Sequence, residues 1–354
     1  MAIVGGFDVH RGQITFDYLD TETGEVTTGQ VRPATRQTLR SWLGRFAGLT
    51  DVAFAVEGCT GWRFVVEELV RAGVEAHLAE PAETATLRGR KKRAKTDRTD
   101  ARLMRELLRQ QRLPESWIPP AAVLEVRTQA RLYVALLAER RAWRQRIHAQ
   151  LFHQGAPAIA KLLTAEGQAA LAQAALSPAG REVVDTALAA IESLTALLDP
   201  LRARLQATGA RQPGCRALTA HDGIGPLGGT IIWAELGDCR RFARADQAVR
   251  FAGLDVTVRS SDSRRAPGRL ARQGAPALRW ALYEAAKSAS HATAPDHPYY
   301  LAARDRLDGK LATLSVARKL ARRCDHTLRD LGDDAWPTTA NQAAPASTAE
   351  SAAA

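Results

Sequence analysis

Four acidic residues, far apart in the sequence, occur in patterns suited to binding a divalent metal ion. Asp8 and Glu57 each end a short apolar run, which predicts that each lies at the end of a buried strand. Asp97 and Asp100 begin a predicted helix at a spacing that places both carboxylates on one helical face. If the four converge, a divalent cation offsets their repulsion, and hard oxygen ligands favour Mg²⁺, with Mn²⁺ as the other candidate. Such ions activate nucleophiles and stabilise leaving oxygens in phosphodiester chemistry.

Each of these acidic residues also has an explanation that requires no metal. Asp97 could cap a helix, and Asp100 could favour the positive end of that helix. Glu57 could end a strand that faces solvent, and Asp8 could lie in a turn. Because a carboxylate at the end of a buried strand is costly unless its charge is used, we interpret the four together as a metal site.

A second group of residues combines hydroxyl and guanidinium side chains. Ser260, Ser261 and Ser263 lie in a basic segment, and serine becomes a nucleophile only when its phosphate is held and its proton is removed. Arginines hold phosphates through charge-assisted, often bidentate contacts. The composition alone favours a flexible phosphate-binding loop over a nucleophilic serine. The arginines that we predict to contact nucleic acid here are Arg259, Arg264, Arg265, Arg269 and Arg272.

Two further segments are candidate nucleic-acid contacts. Gly223 and Gly225, between predicted helices, resemble a helix-hairpin-helix turn whose backbone N–H groups can bind a phosphate. An ordinary glycine-rich connection explains them equally well. A basic run directly before Asp97 is either a solvated loop or a clamp on the nucleic-acid backbone, and we favour the clamp. Its members are Arg88, Arg90, Lys91, Lys92, Arg93 and Lys95.

The apolar patterns predict the elements that position these residues. Residues 1–112 alternate as three strands, helix, strand, helix, strand, helix. Residues 120–208 carry two long helical apolar stripes, which predict either a helical hairpin within the chain or a coiled coil that dimerises it. We therefore predict an α/β domain over 1–115, a long helical, coiled-coil insert over 116–210 and a mainly α-helical domain over 211–335. Residues 336–354 are predicted to be a disordered tail.

Charge and composition narrow the class of partner. The chain has 354 residues and a formal net charge of +11, which favours a polyanionic partner such as nucleic acid. It has no apolar run long enough to predict a membrane span, so we expect no membrane partner. The four cysteines form no CxxC pair, which argues against a zinc site or a disulfide framework. The first residues lack the features of a secretion signal, so we expect the protein in the bacterial cytoplasm.

Two stretches of the sequence resemble a known family. The order of strands and helices is similar to the ribonuclease H fold, and the acidic pattern to the Holliday-junction resolvase RuvC. Residues 95–101, Lys-Thr-Asp-Arg-Thr-Asp-Ala, resemble the signature of the DEDD insertion-sequence transposases, the "one-ten" family of bacterial mobile elements. A second stretch resembles the carboxy-terminal transposase domain of that family. It consists of residues 251–254, the serine loop, an Arg-Gln-Gly turn and the sequence Leu-Arg-Trp-Ala-Leu.

The resemblance implies roles for individual residues. Asp8, Glu57, Asp97 and Asp100 would be the DEDD tetrad of a RuvC-like domain that binds Mg²⁺. Aligned on Gly253 and Leu254, the nucleophilic serine of the family falls on Ser261. The family often has a proline two residues after this Gly-Leu pair and a glycine after the serine. Here Val256 and Asp262 stand at those positions, which leaves Ser260 as the alternative nucleophile.

The resemblance also implies a mechanism and partners. The expected activity is DNA transposition through a covalent phosphoserine intermediate, with composite sites formed by different protomers of a dimer or tetramer. An element-encoded bridge RNA would pair with donor and target DNA. Two alternatives remain open on the sequence: a metal-dependent junction nuclease that uses water, and a non-catalytic nucleic-acid-binding protein.

Overall fold

The structure is a computed structural model that describes residues 2–87, 96–257, 260–261, 264–265, 269–271 and 273–336. The chain divides into two compact units, Met1–Ile118 and Pro119–Ala354. Among the described residues, no helix is both long enough and apolar enough to cross a membrane.

The first unit is built on a mixed sheet of five strands in the order β3-β2-β1-β4-β5. The strands β1, β2 and β3 pair antiparallel, whereas β4 pairs parallel with both β1 and β5. The strands are β1 (Ile3–Val9), β2 (Ile14–Asp20), β3 (Val26–Val31), β4 (Val52–Glu57) and β5 (Glu75–Ala79). This topology places the carboxyl ends of β1 and β4 side by side at one edge of the unit.

Helices connect and cover these strands. They are α1 (Arg36–Leu43), α2 (Trp62–Arg71), α3 (Pro81–Leu87) and α4 (Asp97–Arg109). The predicted order of strands and helices is found, together with the short helix α3, which was not predicted from the sequence. The mixed α/β character predicted for this part of the chain is confirmed.

Alternation of side chains along the central strands gives the sheet two different faces. On one face, Phe7 and Phe54 stack at 4.7 Å between ring centroids and pack against Trp42 of α1. On the other face, Val4 and the alanines of β4 pack with Met104 and Leu108 of α4. Helix α4 therefore covers the second face of β1 and β4.

Glycine at position 6 lets α4 approach β1 closely. A Cβ atom at Gly6 would lie 2.2 Å from the carbonyl oxygen of Ala101 and 2.6 Å from the backbone nitrogen of Arg105. The helix is also tied to β2 by a buried ion pair, in which Arg105 Nη1 lies 2.5 Å from Asp17 Oδ1. These two contacts hold the second and third turns of α4 against β1 and β2.

We expect Gly6→Ala to destabilise the packing of α4 by about 1 to 3 kcal/mol, because the added methyl group overlaps the helix backbone. Hydrogen exchange of the α4 amides measures this opening separately from the second unit. Gly44→Ala is the matched control, since Gly44 has helical φ and a methyl group there would meet nothing within 4 Å. Equal protection of α4 in both variants would show that close approach at Gly6 is not required.

The second unit is mostly helical, as predicted. Its helices are α5 (Ala121–His153), α6 (Ala165–Gln173), α7 (Pro178–Arg211), α8 (Pro213–Leu218), α9 (Pro226–Leu236), α10 (Ala245–Phe251), α11 (Pro276–Ala286), α12 (His297–Arg306) and α13 (Gly309–Leu331). The long helices α5 and α7 pack against each other within the chain in opposite directions. Gln154 bonds Ser177 at one end of this hairpin, and Arg140 bonds Thr195 further along. Dimerisation through a coiled coil stays a prediction.

A buried carboxylate ties the base of this hairpin to α9. Glu235 has a fully buried side chain, and its two oxygens accept hydrogen bonds of 2.6 and 2.9 Å from the guanidinium of Arg131. Arg127, one turn earlier on α5, donates to the carbonyl oxygen of Ala234. Bidentate charge-assisted bonds of this kind fix orientation strongly, so α5 and α9 are held in one arrangement.

Candidate metal centre and nucleic-acid interface

The carboxyl ends of β1 and β4 carry two of the predicted metal ligands on the same face of the sheet. Phe7 pairs with Val56 in the parallel register, so Asp8 and Glu57 follow at neighbouring positions. Both belong to the alternating set that includes Val4 and Ala55 and therefore face the side covered by α4. Asp8 and Glu57 thus end adjacent strands beneath the first turn of this helix.

The first turn of α4 supplies the other two carboxylates. Thr96 caps the helix by accepting a hydrogen bond from the backbone N–H of Thr99, and Thr99 bonds back to Thr96. Asp97 and Asp100 follow within the first turn, where the positive end of the helix dipole stabilises negative charge. Asp100 is buried, whereas the Asp97 side chain is 42% exposed.

Asp8, Asp97 and His10 form a compact group of potential metal ligands. One ligand atom from each of the three residues lies within 4.8 Å of the others. His10 Nε2 lies 3.1 Å from Asp8 Oδ2 and 3.5 Å from Asp97 Oδ1. The Asp8 side chain is 12% exposed and the His10 side chain is 55% exposed, so the group opens to solvent on one side.

Three residues at this site were not predicted from the sequence: His10, which belongs to the group, Gln13, which bonds Asp97, and Arg32, which bonds Gln13. Gln13 Nε2 donates a 2.9 Å hydrogen bond to Asp97 Oδ2, and Arg32 donates to Gln13 Oε1. The turn between β1 and β2 brings these side chains in, because the backbone N–H of His10 bonds the carbonyl oxygen of Gln13. The Asp-x-His spacing at the end of β1 was a signal for His10, since alternate residues of a strand share a face.

The electrostatics of Asp8 are those of a carboxylate that lacks a compensating cation. Burial raises the pKa of Asp8, His10 lowers it, and the negative charges of Asp97 and Asp100 raise it further. Asp100 therefore lies close enough to act on Asp8 through its charge. A divalent cation beside Asp8 would offset both the burial and the repulsion.

Glu57, another member of the predicted tetrad, lies at the end of β4. Its half-buried carboxylate ends the strand next to Asp8, but it is not among the three residues whose ligand atoms lie within 4.8 Å of one another. The structure thus brings Asp8 and Asp97 together, couples Asp100 to Asp8, and places Glu57 at the adjacent strand end.

The donor atoms fit a divalent metal ion. Asp8 and Asp97 offer carboxylate oxygens, which Mg²⁺ and Mn²⁺ prefer, and His10 adds an imidazole nitrogen, a ligand more usual for transition metals. Since burial and the charges of Asp97 and Asp100 raise the pKa of Asp8, a cation here would stabilise its ionised form. Asp8, Asp97 and His10 are the residues that would hold an ion, and Asp100 acts on Asp8 through its charge.

In the second unit, the predicted serine loop is built on short paired strands. The outer pair joins β6 (Val256–Thr257) to β9 (Arg269–Leu270), and the inner pair joins β7 (Ser260–Ser261) to β8 (Arg264–Arg265). In the antiparallel register Ser261 is opposite Arg264, and Ser260 is opposite Arg265. The backbone thus pairs each candidate nucleophile with an arginine position.

The base of this loop is fixed to the helical core. Gly274 has φ +130°, and a Cβ atom there would lie 2.1 Å from the carbonyl oxygen of Phe251. The backbone N–H of Ala275 bonds the same carbonyl. Arg279 donates to Ala252 O and Arg318 donates to Leu254 O. Arg279 and Arg318 therefore hold the base of the loop.

The two predicted turn glycines have different surroundings in the connection between α8 and α9. Gly223 has φ +81°, and a Cβ atom there would lie 2.2 Å from the carbonyl oxygen of Ala285, so packing explains this glycine. Gly225 caps α9, and a Cβ atom there would meet nothing within 4 Å. Gly225 therefore borders open space, and the nucleic-acid role of both residues stays a prediction.

The remaining predicted nucleic-acid contacts are placed only in part. Arg269 begins β9, and Arg264 and Arg265 form β8. The other predicted contacts lie outside the described residues: Arg88, Arg90, Lys91, Lys92, Arg93, Lys95, Arg259 and Arg272.

Comparison with known proteins identifies the kind of enzyme. Residues 5–153 match the model of the DEDD transposase domain of IS110 elements, and residues 215–301 match the model described as "Transposase IS116/IS110/IS902 family". The chain is also 29% identical over 279 residues to y4rJ, an inferred transposase of Sinorhizobium fredii (strain NBRC 101917 / NGR234). That similarity covers 69% of this chain and 70% of the relative.

The two family matches contain both groups of residues described above. The first contains Asp8, His10, Glu57, Asp97 and Asp100, and its DEDD type implies a divalent metal ion. The second contains the paired strands around Ser261. A transposase binds DNA, so the net positive charge has a matching partner. The chain is therefore a transposase, and two of its segments match domain models of the IS110 family.

Proposed function

We propose that this transposase cuts and rejoins DNA with a Mg²⁺ site in its first domain and a nucleophilic serine, Ser261, in its second. The observation that carries the metal site is the group of Asp8, His10 and Asp97, with ligand atoms within 4.8 Å of one another under the first turn of α4. Glu57 and Asp100 complete the ligand set. Mn²⁺ is expected to replace Mg²⁺, because it accepts both carboxylate oxygen and imidazole nitrogen.

The chain's own residues hold and orient this site. Arg32 bonds Gln13, and Gln13 bonds Asp97, so the exposed carboxylate has a fixed direction. His10 bonds Asp8 and lies beside Asp97, which keeps both oxygens near one point. When bound, a divalent cation would polarise the phosphate and stabilise negative charge on the leaving 3′ oxygen.

Ser261 is the proposed nucleophile. The bond between its Oγ and phosphorus forms as the bond between phosphorus and the 3′ oxygen breaks. The serine proton passes through solvent to the departing 3′ oxygen, which leaves as a 3′ hydroxyl. The product is a phosphoserine link, which conserves the energy of the phosphodiester bond for the rejoining step. Arg264, opposite Ser261 in the strand register, is proposed to hold the phosphate, since arginine binds phosphates in a bidentate manner.

The proposed partners are DNA and an element-encoded bridge RNA. The formal net charge of +11 supports a chain that contacts more than one nucleic acid. The basic run before Asp97 and the turn at Gly225 are proposed backbone contacts. Strand exchange needs two active sites, so we propose a dimer or tetramer whose composite sites draw on different protomers. Base pairing of the RNA would then carry the sequence specificity.

We expect the full chain, purified from cells that carry the complete element, to retain RNA from the non-coding part of that element. Sequencing of the bound RNA measures this enrichment. The matched control is the same preparation from cells in which the non-coding flanks have been deleted, where no such RNA is expected. Equal RNA content in both preparations would remove the guided mechanism and leave the metal and serine proposals in place.

A further inference from the structure

A groove of about 510 Å³ lies near the closed end of the hairpin formed by α5 and α7. One wall is the carboxy-terminal part of α5, and the other is the turn at residues 160–164 that precedes α6. This groove belongs to neither the acidic site nor the serine loop. Its polar lining residues are Arg141, Arg144, Gln145, His148, Lys161 and Thr164.

Helical spacing creates the first wall. Arg141, Arg144, Gln145 and His148 recur at intervals of three and four residues, so they share one side of α5. The adjacent side of the helix carries Ile147, which is fully buried in the core of the hairpin. The apolar side fixes the rotation of the helix and thereby directs the basic side toward the groove.

Packing fixes the second wall. Leu162 is 4% exposed and belongs to the same apolar core, which anchors the turn. The helix α6 begins tightly against it, because a Cβ atom at Gly167 would lie 1.8 Å from the carbonyl oxygen of Lys161. Thr164 caps α6 by accepting from the N–H of Gly167 and donates to the same Lys161 carbonyl. These contacts therefore fix the backbone at Lys161.

Among the described residues, the cations of the groove have no anionic partner. In the part of the chain that the structure describes, Arg141, Arg144 and Lys161 form no ion pair with an acidic residue. Arg144 Nε is also buried without a hydrogen-bond partner among the described residues. Burial and the neighbouring charge of Arg140 lower the pKa of Arg144. Other arginines of the hairpin are used internally, as Arg181 is by three carbonyl oxygens at the end of α6.

We propose that this groove binds the phosphodiester backbone of a nucleic-acid strand. Three positive charges on two fixed walls, with the amide of Gln145 and the imidazole of His148 between them, suit closely spaced phosphates. Arg141 and Arg144, which have no acidic partner among the described residues, can bind phosphate oxygens through their guanidinium groups. The proposal adds a backbone contact in the helical hairpin and does not depend on the chemistry of Ser261.

The test is nucleic-acid binding by the full chain with Arg141, Arg144 and Lys161 all replaced by glutamine. Fluorescence anisotropy with a labelled duplex of the element end and with a labelled single-stranded RNA measures affinity across a salt series. Each lost phosphate contact lowers the slope of log K against log salt by about 0.9 for duplex DNA and about 0.7 for a single strand. We expect the slope to fall by about two to three for the nucleic acid that occupies the groove.

Two controls separate this result from a general effect of charge or folding. The first control is a triple variant that removes the same charge from exposed positions of α12 and α13: Arg304→Gln, Arg306→Gln and Lys310→Gln. It is expected to change the slope less than the groove variant does. A variant with lysine at 141 and 144 keeps the charge and is expected to retain the slope. A loss confined to DNA or to RNA identifies which strand supplies the phosphates. Slopes equal to those of the α12 and α13 control for both probes would overturn the proposal, whatever the outcome at Asp8 or Ser261.

Discussion

Replacing Asp8 by asparagine is expected to lower the rate of Mg²⁺-dependent DNA strand cleavage by about 10³-fold or more. The substitution keeps the size of the side chain and removes the charge at the strand end. Metal ions supply several kcal/mol of transition-state stabilisation, and each 1.36 kcal/mol is about tenfold in rate. Because burial already raises the pKa of Asp8, the neutral side chain fits its site without a folding cost. The measurement is single-turnover cleavage of a labelled element end.

The matched control is Asp51→Asn. Asp51 precedes β4 at the opposite end of the sheet, and its φ of 68° is one that asparagine adopts readily. This variant is expected to cleave at the wild-type rate. Binding of Mn²⁺, followed by electron paramagnetic resonance, should weaken for Asp8→Asn and stay unchanged for Asp51→Asn. Unchanged cleavage and Mn²⁺ binding in Asp8→Asn would place the metal site elsewhere.

The strand-end carboxylates could be predicted because two independent patterns converge on them. Apolar runs predict buried strands, and a charged residue at the end of such a strand costs free energy unless its charge is paired or binds a ligand. The sheet register then places Asp8 beside Glu57, and the capped first turn of α4 brings Asp97 to them. Gly6 was not singled out from the sequence, yet it sets the distance between α4 and β1.

The supporting residues could not be predicted in the same way. Gln13 reaches Asp97, and Arg32 reaches Gln13, only because the β1–β2 turn and the β2–β3 register place Gln13 and Arg32 side by side. Nothing in their residue types distinguishes them from other surface glutamines and arginines. The close approach of His10 to two carboxylates likewise depends on the geometry of a turn that follows β1.

Sequence patterns also do not distinguish arginines that pair with acidic residues of the protein from arginines that are available to bind a ligand. Arg131 and Arg141 lie on the same helix, but the first pairs with the buried Glu235 and the second lines the groove. The difference arises from which element packs against each turn of α5. Net charge therefore predicts a polyanionic partner, and only the packing shows which cations remain available to bind it.

Replacing Ser261 by alanine is expected to abolish the covalent protein–DNA product and to lower strand cleavage by about 10³-fold or more. Removal of a nucleophile that acts with its partners as a unit typically costs this much or more. The Oγ atom is the only one lost, and the β7–β8 pairing uses backbone groups, so the loop should keep its structure. The measurement is a denaturing gel of labelled DNA, in which the phosphoserine product migrates with the protein.

Ser260→Ala is the control that decides between neighbouring hydroxyl groups. It removes the same atom one residue earlier, where the strand register pairs Ser260 with Arg265 instead of Arg264. If Ser261 is the nucleophile, Ser260→Ala retains the covalent product, and Ser261→Ala loses it while Mn²⁺ binding by the first domain stays intact. The reverse pattern would move the nucleophile to Ser260. Cleavage without any protein-linked DNA in the wild type would instead favour attack by water, and the phosphate-holding arginines would then serve a metal-dependent nuclease.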